Sequence, residues 1–302
     1  MIKNILFRAD SSSSIGIGHI SRDLTFAKKY KNDQIIFASQ NLKGNINSNI
    51  KKHGYKLEIL FSDKISELIS LIKKHKIDLL IIDHYGITYK DEKRIKKETA
   101  VKILSFDDTY EKHYCDILLN HNISANKNKY KDLVPEKCQV LCGKKYTILR
   151  DEFYKEKKKK YKKNNIQTIF VAMGGADHSN INIDILKTIK SLHKKDILVT
   201  LVTTTANKNI KQLKNYCKNK KWINLQINSA QIASLISQSS LAIITPSVTA
   251  NEVSYMNKPF IAIKTANNQK EMYKYLKKKN IPVLKSFNTY KLLKKVKNIL
   301  EK

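Results

Sequence analysis

The sequence predicts an α/β protein made of two doubly wound, parallel-sheet domains of Rossmann-like type that face a cleft. Three observations predict it. Short β-rich runs alternate with helical ones along the chain; strands such as "LLIID" are apolar without interruption, as expected where helices cover both faces of a sheet; and a lysine-rich interruption near the middle is followed by a restart of the same rhythm.

Taken in order, "KNILFRA" reads as a strand and "SRDLTFAKKY" as the helix after it, and "QIIFAS", "SELISLIKKHK", "DLLIIDHYG", "DEKRIKKE", "VKILSFDD" and "CDILLN" continue the alternation. From Phe153 to Asn165 the text "YKEKKKKYKKNN" lacks apolar periodicity and reads as a linker. The expected division is an N-terminal domain over 1–154, a linker over 155–165 and a C-terminal domain over 166–302. The second half then runs "QTIFVAMGG", "INIDILKTIKSLH", "ILVTLVTTT", "NIKQLKNYCKN", "INLQI", "AQIASLISQSS", "LAIITPS", "TANEVSYM" and "PFIAI". Ligands of such sheets bind beyond the carboxyl ends of the strands, so the loops after "FRA", "IID", "SFDD", "VAM", "IIT" and "IAI" are where function is sought.

Composition narrows the function. With 302 residues, 41% of them hydrophobic, the chain can bury a substantial core. The net charge of +32 invites a nucleic-acid reading, yet arginine occurs only at Arg8, Arg22, Arg94 and Arg150; the other 54 basic residues are lysines scattered over every predicted helix. Base and phosphate readout favours arginine's fork, so the pattern suits a solvated surface that binds polyanions only weakly and at low salt. No run reaches the roughly 18 apolar residues of a membrane span, and "MIKNILFRAD" is too short in its apolar part for a secretory signal, so a cytoplasmic location is expected. Cys115, Cys138, Cys142 and Cys217 are too few and irregular for a disulfide framework, and the eight histidines lack zinc-site spacing, so neither a metal nor a cofactor is expected.

Gly16-x-Gly18-His19 sits between a strand and a helix but lacks the third glycine of the dinucleotide fingerprint, which argues against NAD. A histidine at a helix N-terminus feels the positive end of the dipole, so His19 is expected to have a lowered pKa and to be neutral near pH 7. Met173-Gly174-Gly175 repeats the strand-to-glycine arrangement, with Asp177 and Asn180 at the mouth of the next helix. In "TPSVTANE", Glu252 could accept ribose hydroxyls while Ser247 and Thr249 meet a phosphate; helix capping is the plainer alternative. Asp83, His84 and Tyr85 end one strand, Asp107 and Asp108 another, and Asn268 with Gln269 follow "IAIKTAN". Paired carboxylates there could bind sugar hydroxyls or steer a proton, or simply cap turns.

The set "FRADSS…IGIGHISRD", "LLIIDHYGI", "KILSFDD", "CDILLN", "MGGADHSN", "SVTANE" and "NNQ" resembles the UDP-2,4-diacetamido-2,4,6-trideoxy-β-L-altropyranose hydrolases of pseudaminic acid biosynthesis, through nearly the whole chain apart from the linker and the tail. The resemblance implies the two-domain GT-B fold shared with the murein N-acetylglucosaminyltransferase. It also implies cleavage between the anomeric carbon and oxygen with inversion, by a metal-independent enzyme whose partners are a UDP-sugar and water. Carried onto this chain, the histidine of the G-x-G-H motif is His19, the catalytic residue, and the Asn of the N-Q motif is Asn268. Asp10, Gly18, Asp83 and Tyr85 would lie with Asn268 on the sugar side. Gly174 and Gly175 would seat the diphosphate, Glu252 the ribose and Thr249 a phosphate oxygen, with Ser247 and Gln269 also on the UDP side. The sequence does not fix the oligomeric state, and a monomer is compatible with it. The rival readings are a UDP-sugar glycosyltransferase, a hydrolysing UDP-sugar 2-epimerase and, last, a nucleic-acid-binding protein.

Overall fold

The computed structural model describes residues 2–159, 161, 166–192 and 197–301. The chain divides into two compact units, Met1–Ile148 and Leu149–Lys302. In the first, β1 (Asn4–Ala9), β2 (Gln34–Gln40), β3 (Lys56–Leu60), β4 (Leu79–Asp83), β5 (Lys102–Phe106), β6 (Ile117–Asn120) and β7 (Gln139–Cys142) form one sheet in the order β3-β2-β1-β4-β5-β6-β7. Every pairing in it is parallel. The order reverses between β1 and β4, where Ala9 stands opposite Asp83; such a switch point is where crossover helices leave on opposite faces and a crevice opens.

Alternation along the strands sends side chains to two separate helical layers. Ile5, Phe7, Phe37, Ile81 and Leu104 pack with Ile20, Leu24, Phe26 and Ala27 of α1 (Gly18–Ala27). Those four positions follow the helical period, and the Phe7 and Phe37 rings stack at 4.8 Å. The intervening residues Leu6, Ile36, Leu80, Ile82 and Ile103 meet Leu68, Ile69 and Ile72 of α3 (Ile65–Lys74) and Ile95 of α4 (Tyr89–Thr99). A short α2 (Asn47–Lys52) lies between β2 and β3.

The second unit opens with α5 (Asp151–Lys157) and alternates β8 (Gln167–Ala172), α6 (Asn182–Lys190), β9 (Ile197–Thr203), α7 (Ile210–Cys217), β10 (Ile223–Ile227), α8 (Ile232–Ser237), β11 (Leu241–Ile244), α9 (Val248–Tyr255), β12 (Phe260–Ile263), α10 (Lys270–Lys278), β13 (Val283–Leu284) and α11 (Thr289–Leu300). Its sheet order is β10-β9-β8-β11-β12-β13, again all parallel, with the reversal between β8 and β11.

The start of the lysine run is not a linker. Residues 155–157 complete α5, which buries Phe153 and Glu156 three residues apart and accepts the Ala233 N–H of α8 on Glu152. Long charged side chains have good helix propensity, so one apolar anchor and a buried carboxylate suffice where no periodicity is visible. The division between units falls after Ile148. Residues 160 and 162–165 of the expected linker lie outside the described residues.

Candidate functional site

The loop after β1 closes on itself: Ser12 and Gly16 exchange backbone hydrogen bonds, and the Ser12 hydroxyl accepts the N–H groups of Ser14 and Ile15. Gly16 has φ +87°, which side-chain-bearing residues rarely adopt, and so lets the chain turn straight into α1. The space where a Cβ of Gly18 would stand is open. His19 is the second residue of α1, and its Nδ1 lies 2.8 Å from both the backbone carbonyl and the Oδ1 of Asp83. Both partners are acceptors, so Nδ1 carries the proton and the lone pair of the neutral ring is on Nε2.

Asp83 is itself buried, with side-chain exposure of 1%, and the Arg22 guanidinium donates to its carboxylate from both Nε and Nη2. Burial pulls the His19 pKa down, but the charge of Asp83 and its hydrogen bond outweigh this, and the net direction is upward. The lowered pKa expected from the helix dipole is thus corrected: a buried carboxylate in contact outweighs a dipole acting within the first turn. Arg22 rests over the Phe106 ring at 5.3 Å and lies 3.9 Å from Asp108, whose carboxylate accepts the Tyr85 hydroxyl at 2.9 Å. The Tyr85 ring, half exposed, meets His19 edge-on at 5.0 Å. Behind Arg22, the buried His121 presents Nε2 at 3.4 Å; burial first, and then the guanidinium charge, push its pKa down to about 3, so it is neutral.

Asp10 occupies the neighbouring position at the end of β1, also buried. It accepts the Gln40 N–H at 2.7 Å, the Ser39 hydroxyl at 3.2 Å and His84 Nε2 at 3.1 Å, and pairs with Arg8 at 2.7 Å. Burial opposes its ionisation, but His84 and Arg8 override it and hold the carboxyl well below the usual range. Among the described residues, Asp10, Asp63 and His84 are close enough to hold a metal ion. Arg8 already supplies the positive charge there, 2.7 Å from Asp10 and 3.4 Å from Asp63. Asp107 turns away from this edge: it accepts the N–H groups of Thr109 and Tyr110 and the Tyr130 hydroxyl at 2.6 Å.

In the second unit, Gly174 has φ +84°, and a Cβ on Gly175 would come within 2.8 Å of the Thr204 side chain. The Gly175 carbonyl accepts the Thr204 N–H and the hydroxyls of Thr203 and Thr204, so the turn into α6 is pinned to β9. Asp177 is buried and bonds Ser179 and the Asn182 N–H, which opens α6. Ser247 stands at the N-cap position of α9 without a side-chain capping bond, its hydroxyl instead meeting that of Thr245 at 2.9 Å; Thr249 stands half-buried in the first turn. Glu252, one turn on, pairs with Arg150 at 3.1 Å, and burial raises its pKa against that pairing. Gln269 spends its Oε1 on the N–H groups of Thr265 and Ala266, which fixes the turn that presents the exposed Asn268.

The predicted residues therefore fall into two sets. His19, Gly18, Asp10, Asp83 and Tyr85 meet at the β1/β4 edge of the first unit, whereas Gly174, Gly175, Ser247, Thr249, Glu252, Asn268 and Gln269 line the β8, β11 and β12 edges of the second. Arg22 and His121 in the first set and Arg150 in the second were not singled out as site residues in the sequence, whereas Asp108 was paired there with Asp107. The available signal was arginine's scarcity: of four, Arg8, Arg22 and Arg150 hold carboxylates at these edges.

No family model matches the chain. It is 43% identical over 279 residues, covering 92% of this chain and 98% of the relative, to the UDP-2,4-diacetamido-2,4,6-trideoxy-beta-L-altropyranose hydrolase of Campylobacter jejuni. Among solved structures, Acinetobacter baumannii MurG superposes with a TM-score of 0.66 at 10% identity, covering 99% of this chain and 91% of its own. The complex of S. aureus MnaA with UDP gives 0.67 at 11%, covering 100% and 89%. These likenesses extend over both units and establish the GT-B architecture.

Proposed function

Because the chain belongs to the UDP-2,4-diacetamido-2,4,6-trideoxy-β-L-altropyranose hydrolase family, we propose that it hydrolyses that UDP-sugar to UDP and the free 2,4-diacetamido sugar, with inversion at the anomeric carbon. The observation that carries the proposal is His19 Nδ1 held by the buried, arginine-clamped Asp83. This assigns the proton-accepting lone pair to Nε2, as a general base for water requires. In the step, the water oxygen bonds to the anomeric carbon, its proton passes to Nε2, and the electron pair of the breaking bond leaves on UDP.

His19 is the catalytic residue in this reading. Asp83 orients it, and Asp10 acts through His84, since both carboxylates are buried beneath the edge. Gly18 leaves room for the sugar and Tyr85 lines it; Asn268 is the further residue assigned to the sugar. The diphosphate is received by the turn at Gly174 and Gly175 that follows β8, where backbone N–H groups favour negative charge. Ser247 and Thr249 meet phosphate oxygens, Glu252 the ribose, and Gln269 shapes the turn beside them. A diphosphate is already a good leaving anion and Arg8 fills the acidic cluster, which supports a metal-independent reaction.

The substrate's chemistry supports a cytoplasmic enzyme, and among the described residues no helix is long and apolar enough to cross a membrane. The dispersed lysines support a small-molecule partner over a specific nucleic acid, and a single chain supplies every group named. The test is UDP release from the purified protein with EDTA present, comparing the 2,4-diacetamido UDP-sugar with UDP-N-acetylglucosamine and following the sugar by NMR. Metal-independent release of unepimerised sugar from the first substrate is expected. Release only with an added acceptor, or a product inverted at C2, overturns the hydrolase reading.

A further inference from the structure

Asp23 lies one residue beyond Arg22 on α1, with no exposed surface, and neither of its carboxyl oxygens has a hydrogen-bond donor. Its carboxyl lies against that of Asp83. Two ionised carboxylates in contact repel, and a buried one without a donor lacks any compensation for its lost hydration. The Arg22 guanidinium does not resolve this, because its Nε and Nη2 donate to Asp83. Asp83 accepts two bonds from Arg22 and one from His19, and a carboxylate has about four acceptor positions. One position is left, and a proton on Asp23 fills it.

We infer that Asp23 is a neutral carboxylic acid whose O–H donates to Asp83, and that by drawing on Asp83's negative charge it restrains the basicity of His19. Asp23 is thus a positioning residue that acts through Asp83. Burial foremost, then the charge of Asp83, move its own pKa in the same sense, well above the carboxylate range. The charged and titratable groups around the Asp23–Asp83 pair are Arg22 and His19 on α1 and Asp108 beyond β5; His121 beyond β6 is neutral. With Asp23 uncharged, Asp83 raises the His19 pKa more than Arg22 lowers it, and the size of that effect is the share of Asp83's charge that Asp23 leaves to it.

The inference rests on the reading of His19 as the base, and its test is made without substrate so that the two can fail separately. Infrared difference spectra of the full chain at pH 7 should contain a protonated-carboxyl band that D23N and D23L both lose. In NMR titrations, D23L, which removes the donor, should raise the His19 pKa by about one pH unit. D23N, whose amide can donate in place of the O–H, should bring it back towards the wild-type value. A missing band, or a His19 pKa that falls in D23N as it would on deleting a negative charge, overturns the inference. If D23L does not fold, the band and the D23N titration decide it. Full turnover by a folded H19A would sink the reading of His19 and leave the proton on Asp23 in place.

Discussion

The two units share a sheet plan but furnish their carboxyl edges with opposite chemistry. At the β1/β4 edge Arg8, Asp10, His19, Asp23, Asp83 and His121 are buried and ionisable, beside the neutral Ser11, Ser12 and Ser39. At the corresponding edge of the second unit the buried polar residues are mostly neutral: Thr203, Asn207, Thr245 and Asn251, with Asp177 turned into its own loop. Moving a proton requires groups whose pKa values are pushed apart by their surroundings. Holding a diphosphate requires donors that bring no fixed negative charge near it, and threonine hydroxyls and backbone N–H groups meet that need. One architecture is therefore suited to both of the proposed tasks, because the switch point supplies the crevice and the loops supply the chemistry.

The contrast is broken most severely by His19→Ala. Turnover should fall roughly 10²–10⁴-fold, measured as UDP release, while UDP binding measured by calorimetry stays as in the wild type. Next is Asp83→Asn, which leaves Arg22 buried with half its counter-charge removed and should cost about 3–5 kcal/mol in urea unfolding. The partly exposed Arg150–Glu252 pair has no such hold on stability. Glu252→Gln should instead weaken UDP binding about tenfold, equivalent to about 1.4 kcal/mol, and leave the pH profile unmoved.

Titration sharpens the comparison further. With His19 as the proposed base activity needs its neutral form, and because its pKa is raised kcat/KM should climb through an inflection above the ordinary histidine value of about 6.5. Stability carries a second signature from the first unit. His113 is buried, which opposes its charge, but Asp107 and Glu92 lift its pKa to about 9. Its folded-state pKa lies above the unfolded value, so its contribution is fully present below about 6.5 and is lost as pH rises through about 9. His113→Gln should flatten that alkaline decline in thermal melts. The smallest effect expected is that of EDTA on turnover, which should be none.

Much of this was legible locally. The strands read as apolar runs because helices cover both faces, and the glycine turns of both units were visible as punctuation after them. What was not legible is carried by contacts distant in sequence. Asp107 and Asp108 are adjacent and looked equivalent, yet one caps its own turn and the other holds Tyr85. Asp23 has the sequence context of an exposed helical acid, and only the folding of α1 against β4 buries it. The lysine run concealed the end of α5, because a helix anchored by Phe153 and Glu156 alone leaves no periodic pattern.

The contact between His19 and Asp83 joins residues 64 positions apart in the chain. It forms only when β4 has docked beside β1, after a loop containing two strands and three helices has been closed, which makes it a late and non-local event in folding. A refolding or ribosome-bound chain that has made every element up to α3 has His19 in place but still lacks its Asp83 partner. The return of hydrolysis after dilution from denaturant should therefore lag behind the return of helical signal, and the enzyme's own turnover becomes a clock for the completion of its first unit.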